Sequence, residues 1–386
     1  MVKNASFPGS IFYLLTAKDI FAHVSVQRLP IKEFLQRSKN KLLLDVRSPS
    51  EYLHAHVPAA KSFPLFSDEE RKIVGTAYKQ ESREKAIRIG LDFFGPKMRP
   101  MVEEIEAMQA GGPKKEKPED DQGREIFVYC WRGGMRSSAV AWLLDLYGWK
   151  VYTLAGGYKS FRNLVFQSFE YPYLFKVLGG YTGSGKTEVL SELQLKGETV
   201  IDLEQLACHK GSAFGSFKMP SQPRQEMFEN LLFMELAEKS SVLDSDPDKK
   251  GTVIWLEDES QRIGNLNIPG PIWERMRASP IIFLEIPFES RLDHLVDEYG
   301  KCDRAKLIES VQRITKRLGG LEAKNTIDFL EEGNFREAFR ILLLYYDKRY
   351  LKGLHNRSNL PAVLKKLHCE TVSSGNAERL INYHTV

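Results

Sequence analysis

The chain predicts an α/β protein: two successive parallel-sheet layers and a helical C-terminal part. Three observations carry this. Short apolar runs of strand length alternate with stretches of helical periodicity, as a parallel sheet with crossover helices requires. Two of those strands run directly into glycine-rich loops that open helices. Beyond about residue 290 the pattern becomes helical, broken at Gly319-Gly320 and at Gly333.

Taken in order, Leu42–Val46 is an apolar run that ends in a polar turn, Arg47-Ser48-Pro49. Residues 126–129 form a second strand leading into Cys130, Ser137–Leu146 has helical spacing, and Val151–Leu154 is a third strand. Gly111–Gly123 is rich in glycine, proline and charge with no apolar face, so it reads as an exposed insertion. The second layer opens at Phe175–Leu178, passes through the loop 180–187 and continues as a helix over Lys186–Leu195. Thr199–Leu203, Thr252–Leu256 and Pro280–Ile286 are further buried-strand candidates. The expected organisation is an N-terminal extension 1–24, a first domain 25–168 containing the insertion 111–123, a second domain core 169–290, and a helical region 291–386.

The 386 residues suggest two or three domains with sizeable cores. The longest purely apolar N-terminal run, Ile11–Leu15, is too short for a signal sequence. No stretch approaches the roughly 20 apolar residues of a membrane span, so a cytosolic location and no membrane partner are expected. Cys130, Cys208, Cys302 and Cys369 are widely spaced, which argues against a disulfide framework or a zinc site. A net charge of +4 is too mild to establish a nucleic-acid partner. Residues 333–386 nevertheless hold nine Lys/Arg against four Asp/Glu, with Tyr345, Tyr346 and Tyr350 interleaved among Lys348, Arg349 and Lys352. Such a patch suits a phosphate backbone with a stacked base, and equally a solvated helical face.

The segment Cys130-Trp131-Arg132-Gly133-Gly134-Met135-Arg136-Ser137 has the composition of a thiolate cradle. Its glycines let backbone amides turn inward, Arg132 and Arg136 add positive charge, and the helix near Ser137 adds its N-terminal dipole. All three favour the nucleophilic thiolate over a buried structural thiol. Asp45-Val46-Arg47-Ser48-Pro49-Ser50-Glu51-Tyr52, followed by His56-Val57-Pro58-Ala59-Ala60, resembles the rhodanese signature. Tyr129-Cys130 with Arg136-Ser137 resembles the rhodanese active loop, and Leu154-Ala155-Gly156-Gly157-Tyr158 its closing motif. Ala55 and Ala59 stand where that family usually has glycine. The resemblance spans roughly residues 25–165 and implies a rhodanese-like domain that carries sulfur or selenium on Cys130.

Gly180-Tyr181-Thr182-Gly183-Ser184-Gly185-Lys186-Thr187 matches the phosphate-binding pattern G-x-x-x-x-G-K-[ST]. Backbone amides around Gly180, Gly183, Ser184 and Gly185 would cradle oxyanions, with Lys186 as a point charge and the Thr187 hydroxyl available to Mg²⁺. Glu257-Asp258-Glu259 and Asp202-Leu203-Glu204 both end predicted strands and compete as acidic metal ligands. The pattern alone allows a small-molecule kinase, a nucleotide-binding module or a site for another diphosphate.

A rhodanese domain ahead of a P-loop domain resembles the bacterial tRNA 2-selenouridine synthases. Asp202–Gly215, Gln222-Pro223 with Gln225 and Phe228–Leu232, and Glu257–Gly264 are similar to further motifs of that family, over about residues 25–350. Cys208 occupies a slot often held by Asn and receives no catalytic role. The resemblance implies conversion of wobble 2-thiouridine in tRNA to 2-selenouridine. The co-substrates would be selenophosphate and geranyl diphosphate, with S-geranylation first and no tightly bound organic cofactor. It implies Cys130, assisted by Arg132 and Arg136, as the selenium carrier. The loop 180–187 would grip the diphosphate of the prenyl donor, or a tRNA or selenophosphate oxyanion, supported by Asp202, His209, Lys210, Glu257, Glu259 and Arg262. Expected partners are 2-thiouridine tRNA, contacted through the C-terminal region, and a selenophosphate-producing enzyme. Two alternatives stay open: a nucleotide-dependent tRNA sulfurtransferase using a Cys130 persulfide, and a non-catalytic RNA-binding or redox module.

Overall fold

Apolar runs form both strands that lead to glycine loops, one in each of two separate parallel sheets. The computed structural model describes residues 26–110, 125–212, 214–215, 217, 219–243, 251–357 and 359–383. The expected extension 1–24 and insertion 111–123 lie outside the described residues. The chain divides into two compact units, Met1–Asn163 and Leu164–Val386, with the helix Gly157–Phe169 crossing the division.

In the first unit, β1 (Gln27–Leu29), β2 (Leu42–Asp45), β3 (Lys61–Ser62), β4 (Glu125–Tyr129) and β5 (Lys150–Leu154) form one parallel sheet in the order β1-β5-β4-β2-β3. Leu44, Val46, Ile126, Val128 and Val151 of this sheet pack with Val140 and Leu144 of the helix Met135–Leu146. Because β2 and β4 pair Asp45 with Tyr129, the turn after Asp45 and the loop beginning at Cys130 leave neighbouring carboxyl ends. That is where open α/β sheets place their ligands.

In the second unit β6 (Leu174–Gly180), β7 (Val253–Glu257), β10 (Ile281–Glu285) and β11 (Leu364–His368) form a parallel sheet in the order β11-β10-β6-β7. A small antiparallel pair, β8 (Arg262–Ile263) and β9 (Leu266–Asn267), stands apart from it. Two cores result. Leu178, Val189, Leu193, Trp255, Ile282 and Leu284 fill the sheet, while Leu292, Leu307, Val311, Leu330, Phe339 and Leu343 join the helices Phe288–Tyr299, Arg304–Leu318, Gly320–Glu331 and Phe335–His355. Among the described residues, no helix is long and apolar enough to cross a membrane.

Two local readings change. Thr199–Leu203 contributes a single bridge, Val200 to Trp255, rather than a strand, because the Asp202 side chain caps the short helix Leu203–Ala207 and ends the extended run. The C-terminal helices are joined by β11, whose Leu364-Lys365-Lys366-Leu367 carries little strand signal but lies in register beside β10.

Two candidate active loops

Cys130 is buried at the end of β4, where its Sγ accepts the Gly134 N–H at 3.3 Å and lies 3.2 Å from Ser137 Oγ. The helix Met135–Leu146 starts directly after, so an amide and a helix N-terminus both face the sulfur. The loop is clamped from behind. Cys130 C=O accepts from Tyr158 N–H at 2.8 Å, and Trp131 C=O from Lys159 N–H at 3.0 Å. Gly157, at φ +61°, is required there, since a Cβ would meet Cys130 O at 2.3 Å and Gly133 N at 2.4 Å.

Signature residues beneath the loop are structural. Arg47, Asp45 and Tyr129 are fully buried: Arg47 donates to both Asp45 oxygens and, at 2.7 Å, to Ala55 C=O. Tyr129 donates to Asp45 at 2.8 Å and accepts from Val57 N–H. The guanidinium also lies 3.9 Å from the centre of the Tyr158 ring, tying it to the clamp. Burial works against the Arg47 charge, but the Asp45 hydrogen bond and charge outweigh it and raise its pKa.

The sequence places Arg136 as a cation for the sulfur. The fold gives it instead to Glu51, with Nη1 2.7 Å from Oε2, while Glu51 also accepts Ser48 N–H at 3.0 Å. The carboxyl needed a partner there because it is pulled under the loop as part of the helix Pro49–His54. Burial pushes the Glu51 carboxyl up, but Arg136 outweighs this and holds it below its ordinary value. Arg132 is exposed.

In the second unit the loop 180–187 joins β6 to the helix Lys186–Leu195. Gly180, at φ +155°, leaves no room for a Cβ, which would lie 2.5 Å from Ser184 Oγ. That hydroxyl is buried and, among the described residues, has no hydrogen-bond partner. Lys186 Nζ folds back to donate to Gly180 C=O at 3.1 Å and Tyr181 C=O at 3.4 Å, and lies 3.4 Å from Glu257 Oε1. Two long-range links fix the loop. Gly180 N–H donates to Tyr350 Oη at 3.2 Å, and that hydroxyl donates to Asp258 at 2.7 Å. The buried Arg291 donates to Thr182 C=O at 3.0 Å and makes a two-pronged pair with Asp347 at 2.8 and 2.9 Å. Tyr350, expected in an RNA-facing patch, is thus part of the loop's support.

Both acidic segments named from the sequence contribute to one cluster. Asp202 is committed to the Gln205 N–H at 2.8 Å as a helix cap, whereas register sets Glu257 beside Leu178, one turn from the loop. Glu204, Glu257 and Glu259 bring carboxylate oxygens within 4.8 Å of one another. Burial first, and then the neighbouring carboxylates, push Glu204 up to about 10 and Glu259 up to about 8. Three hard oxygen donors beside a phosphate loop fit Mg²⁺. Arg262 instead donates to Gly264 C=O at 2.9 Å.

His209 is held below its ordinary value by burial and then by Arg313, so its imidazole is neutral at pH 7. Lys210 is paired with Glu298 at 2.6 Å. Both line, with Lys186, Thr187 and the acidic cluster, one cavity of about 1450 Å³ within the second unit. Gln222 and Gln225, which read as motif residues, hold the β8–β9 turn through Ile263 C=O, Asn265 N–H and both backbone groups of Asn267. Cys208 adopts a left-handed φ of +51° as a helix cap, a conformation Asn tolerates well. Sequence reasoning missed Arg291 and Asp347 as residues that support the loop.

Residues 31–164 match a family model described as rhodanese-like domain, and residues 174–374 one described as tRNA 2-selenouridine synthase AAA domain. A tRNA 2-selenouridine synthase of Bdellovibrio bacteriovorus is 33% identical over 361 residues, covering 83% of this chain and 90% of its own. The synthase of Hydrogenovibrio crunogenus is 35% identical over 302 residues, covering 73% and 77%. That of a Sulfurovum species is 32% identical over 345 residues, covering 82% and 88%. With a family model over half its length and relatives aligned along most of theirs, the chain belongs to the tRNA 2-selenouridine synthase family.

Proposed function

We propose that the protein converts wobble 2-thiouridine in tRNA to 2-selenouridine in two steps, S-geranylation at the phosphate loop and selenium delivery at Cys130. The observation that supports this most is the presence of two chemically distinct glycine-rich loops. One presents an amide to a thiol; the other surrounds a lysine with main-chain groups beside an acidic cluster.

In the first step the thiocarbonyl sulfur attacks C1 of geranyl diphosphate. The C–O bond breaks, diphosphate leaves with the electron pair, and the alkylated base releases its N3 proton to solvent. Lys186, drawn off its carbonyl contacts, and the amides of residues 183–187 stabilise that charge. Mg²⁺ held by Glu204, Glu257 and Glu259 would supply further neutralisation. The sulfur, now a thioether, has become a competent leaving group. In the second step water cleaves the P–Se bond of selenophosphate, releasing phosphate and hydrogen selenide; its selenium adds to C2 as its proton passes to N3, and geranylthiolate leaves with the C2–S electron pair. Selenium stays at the selenide level throughout, so no oxidant or reductant is consumed. The Gly134 N–H and the helix start at Met135 favour an anion beside Cys130. The Cys130 loop holds the selenide without forming an S–Se bond and presents it to C2.

The test is 2-thiouridine tRNA incubated with protein, selenophosphate and geranyl diphosphate without ATP, then digested for nucleoside mass spectrometry. Appearance of 2-selenouridine supports the reading. Sulfur chemistry appearing only with ATP would favour the nucleotide-dependent sulfurtransferase, for which the acidic cluster beside the loop is the relevant observation.

A further inference from the structure

The cavity that holds the phosphate loop is larger than the roughly 300–1,000 Å³ of ordinary small-molecule sites. Its lining cations fall into two kinds. Those next to the loop are spent on carboxylates: Lys186 on Glu257 and Lys210 on Glu298, with Arg291 behind the loop on Asp347. By contrast, Arg317 of the helix Arg304–Leu318 and Arg349 and Lys352 of the helix Phe335–His355 line the same cavity and are exposed. Among the described residues none of the three has a carboxylate partner. Tyr345, Arg349 and Lys352 are spaced four and three residues apart, on one helical face. The Arg349 guanidinium stacks 5.6 Å from the Tyr345 ring centre, and the Tyr345 and Tyr346 rings meet edge to face at 5.1 Å.

Unpaired cations alternating with half-exposed tyrosines on a cavity wall match a single-stranded nucleic acid: charge for the backbone, ring faces for an unstacked base. A small diphosphate substrate needs neither, since the loop already supplies its anion contacts. Building on the tRNA reading above, we infer that Arg317, Arg349 and Lys352 hold the anticodon-loop backbone while Tyr345 and Tyr346 stack the extruded wobble base, aiming its C2 sulfur at the phosphate loop.

The experiment is a fluorescence-anisotropy titration of the full-length protein with an anticodon stem–loop carrying 2-thiouridine, at several salt concentrations. A continuous RNA duplex and the variant Arg336→Gln serve as controls, since Arg336 is already paired with Glu289 and Asp293. Each of Arg317→Gln, Arg349→Gln and Lys352→Gln should weaken stem–loop binding and lower the salt slope by about 1. Tyr345→Ala should weaken the stem–loop at least about fivefold yet leave duplex binding unchanged. Unchanged circular dichroism and melting of each variant would exclude misfolding. Stem–loop binding that all four variants retain, with the parent salt slope, overturns the inference and leaves the tRNA reading standing. A parent protein that binds no stem–loop at any salt concentration overturns both.

Discussion

Arg136 donates to Glu51 at 2.7 Å across 85 residues of sequence, which ties the start of the helix Met135–Leu146 after the Cys130 loop to the helix Pro49–His54. Arg136→Ala would leave a largely buried carboxylate with only Ser48 N–H and the more distant Arg71, at 3.6 Å. We expect a loss of about 1–3 kcal/mol in unfolding free energy, measured by urea titration. The pair also sets a pH dependence. Glu51 titrates below its ordinary value, so its contribution is complete above the unfolded value near 4.5 and is lost as pH falls through the folded one. Acid unfolding of Arg136→Ala should therefore be less steep below about pH 4.5 than that of the parent.

The acidic cluster has the opposite sign. Glu204 and Glu259 carry raised values, so the native state holds protons that the unfolded chain has released. Their effect is smallest near pH 4.5 and grows into a penalty as pH rises toward 8 to 10, so stability should fall over that range. Glu259→Gln should flatten the profile. Mg²⁺ favours the ionised carboxylates, so it should raise the melting temperature more at pH 8 than at pH 6, an effect EDTA should abolish. Equal shifts at both pH values would argue against a cation at these residues.

Tyr350→Phe removes the hydroxyl that joins Gly180 N–H to Asp258. Asp258 keeps Arg357, but the loop amide loses its acceptor. Binding of geranyl diphosphate, followed by calorimetry, should weaken by about five- to thirtyfold, corresponding to about 1–2 kcal/mol. Modification chemistry confined to Cys130 should be unaffected.

Gly157→Ala tests the clamp behind Cys130. A methyl group there has no space beside Cys130 C=O and Gly133 N–H, and the left-handed φ adds strain. We expect loss of 2-selenouridine formation with geranylation retained, read from the same nucleoside digest.

What was legible in the sequence was local. The strands before Cys130 and Gly180, both glycine loops and their following helices rest on runs of ten or so residues, where periodicity and motif spacing act directly. What was not legible depended on partners far away in the chain. Arg136 reads as a free cation until Glu51 arrives, and Tyr350 as an exposed aromatic until Asp258 and Gly180 fold under it. Gln222 and Gln225 look chemical in sequence but are turn clamps, because their hydrogen bonds go to backbone groups about 40 residues on. β11 escaped notice because an edge strand with two lysines has no apolar run to announce it.

The most direct measurement follows both products from 2-thiouridine tRNA by nucleoside mass spectrometry, in the parent protein, Cys130→Ala and Lys186→Ala. With geranyl diphosphate alone, the parent and Cys130→Ala should form the geranylated nucleoside and Lys186→Ala should not. With selenophosphate added, only the parent should yield 2-selenouridine. Full 2-selenouridine formation by Cys130→Ala, or geranylation undiminished in Lys186→Ala, would contradict the division of labour between the two loops.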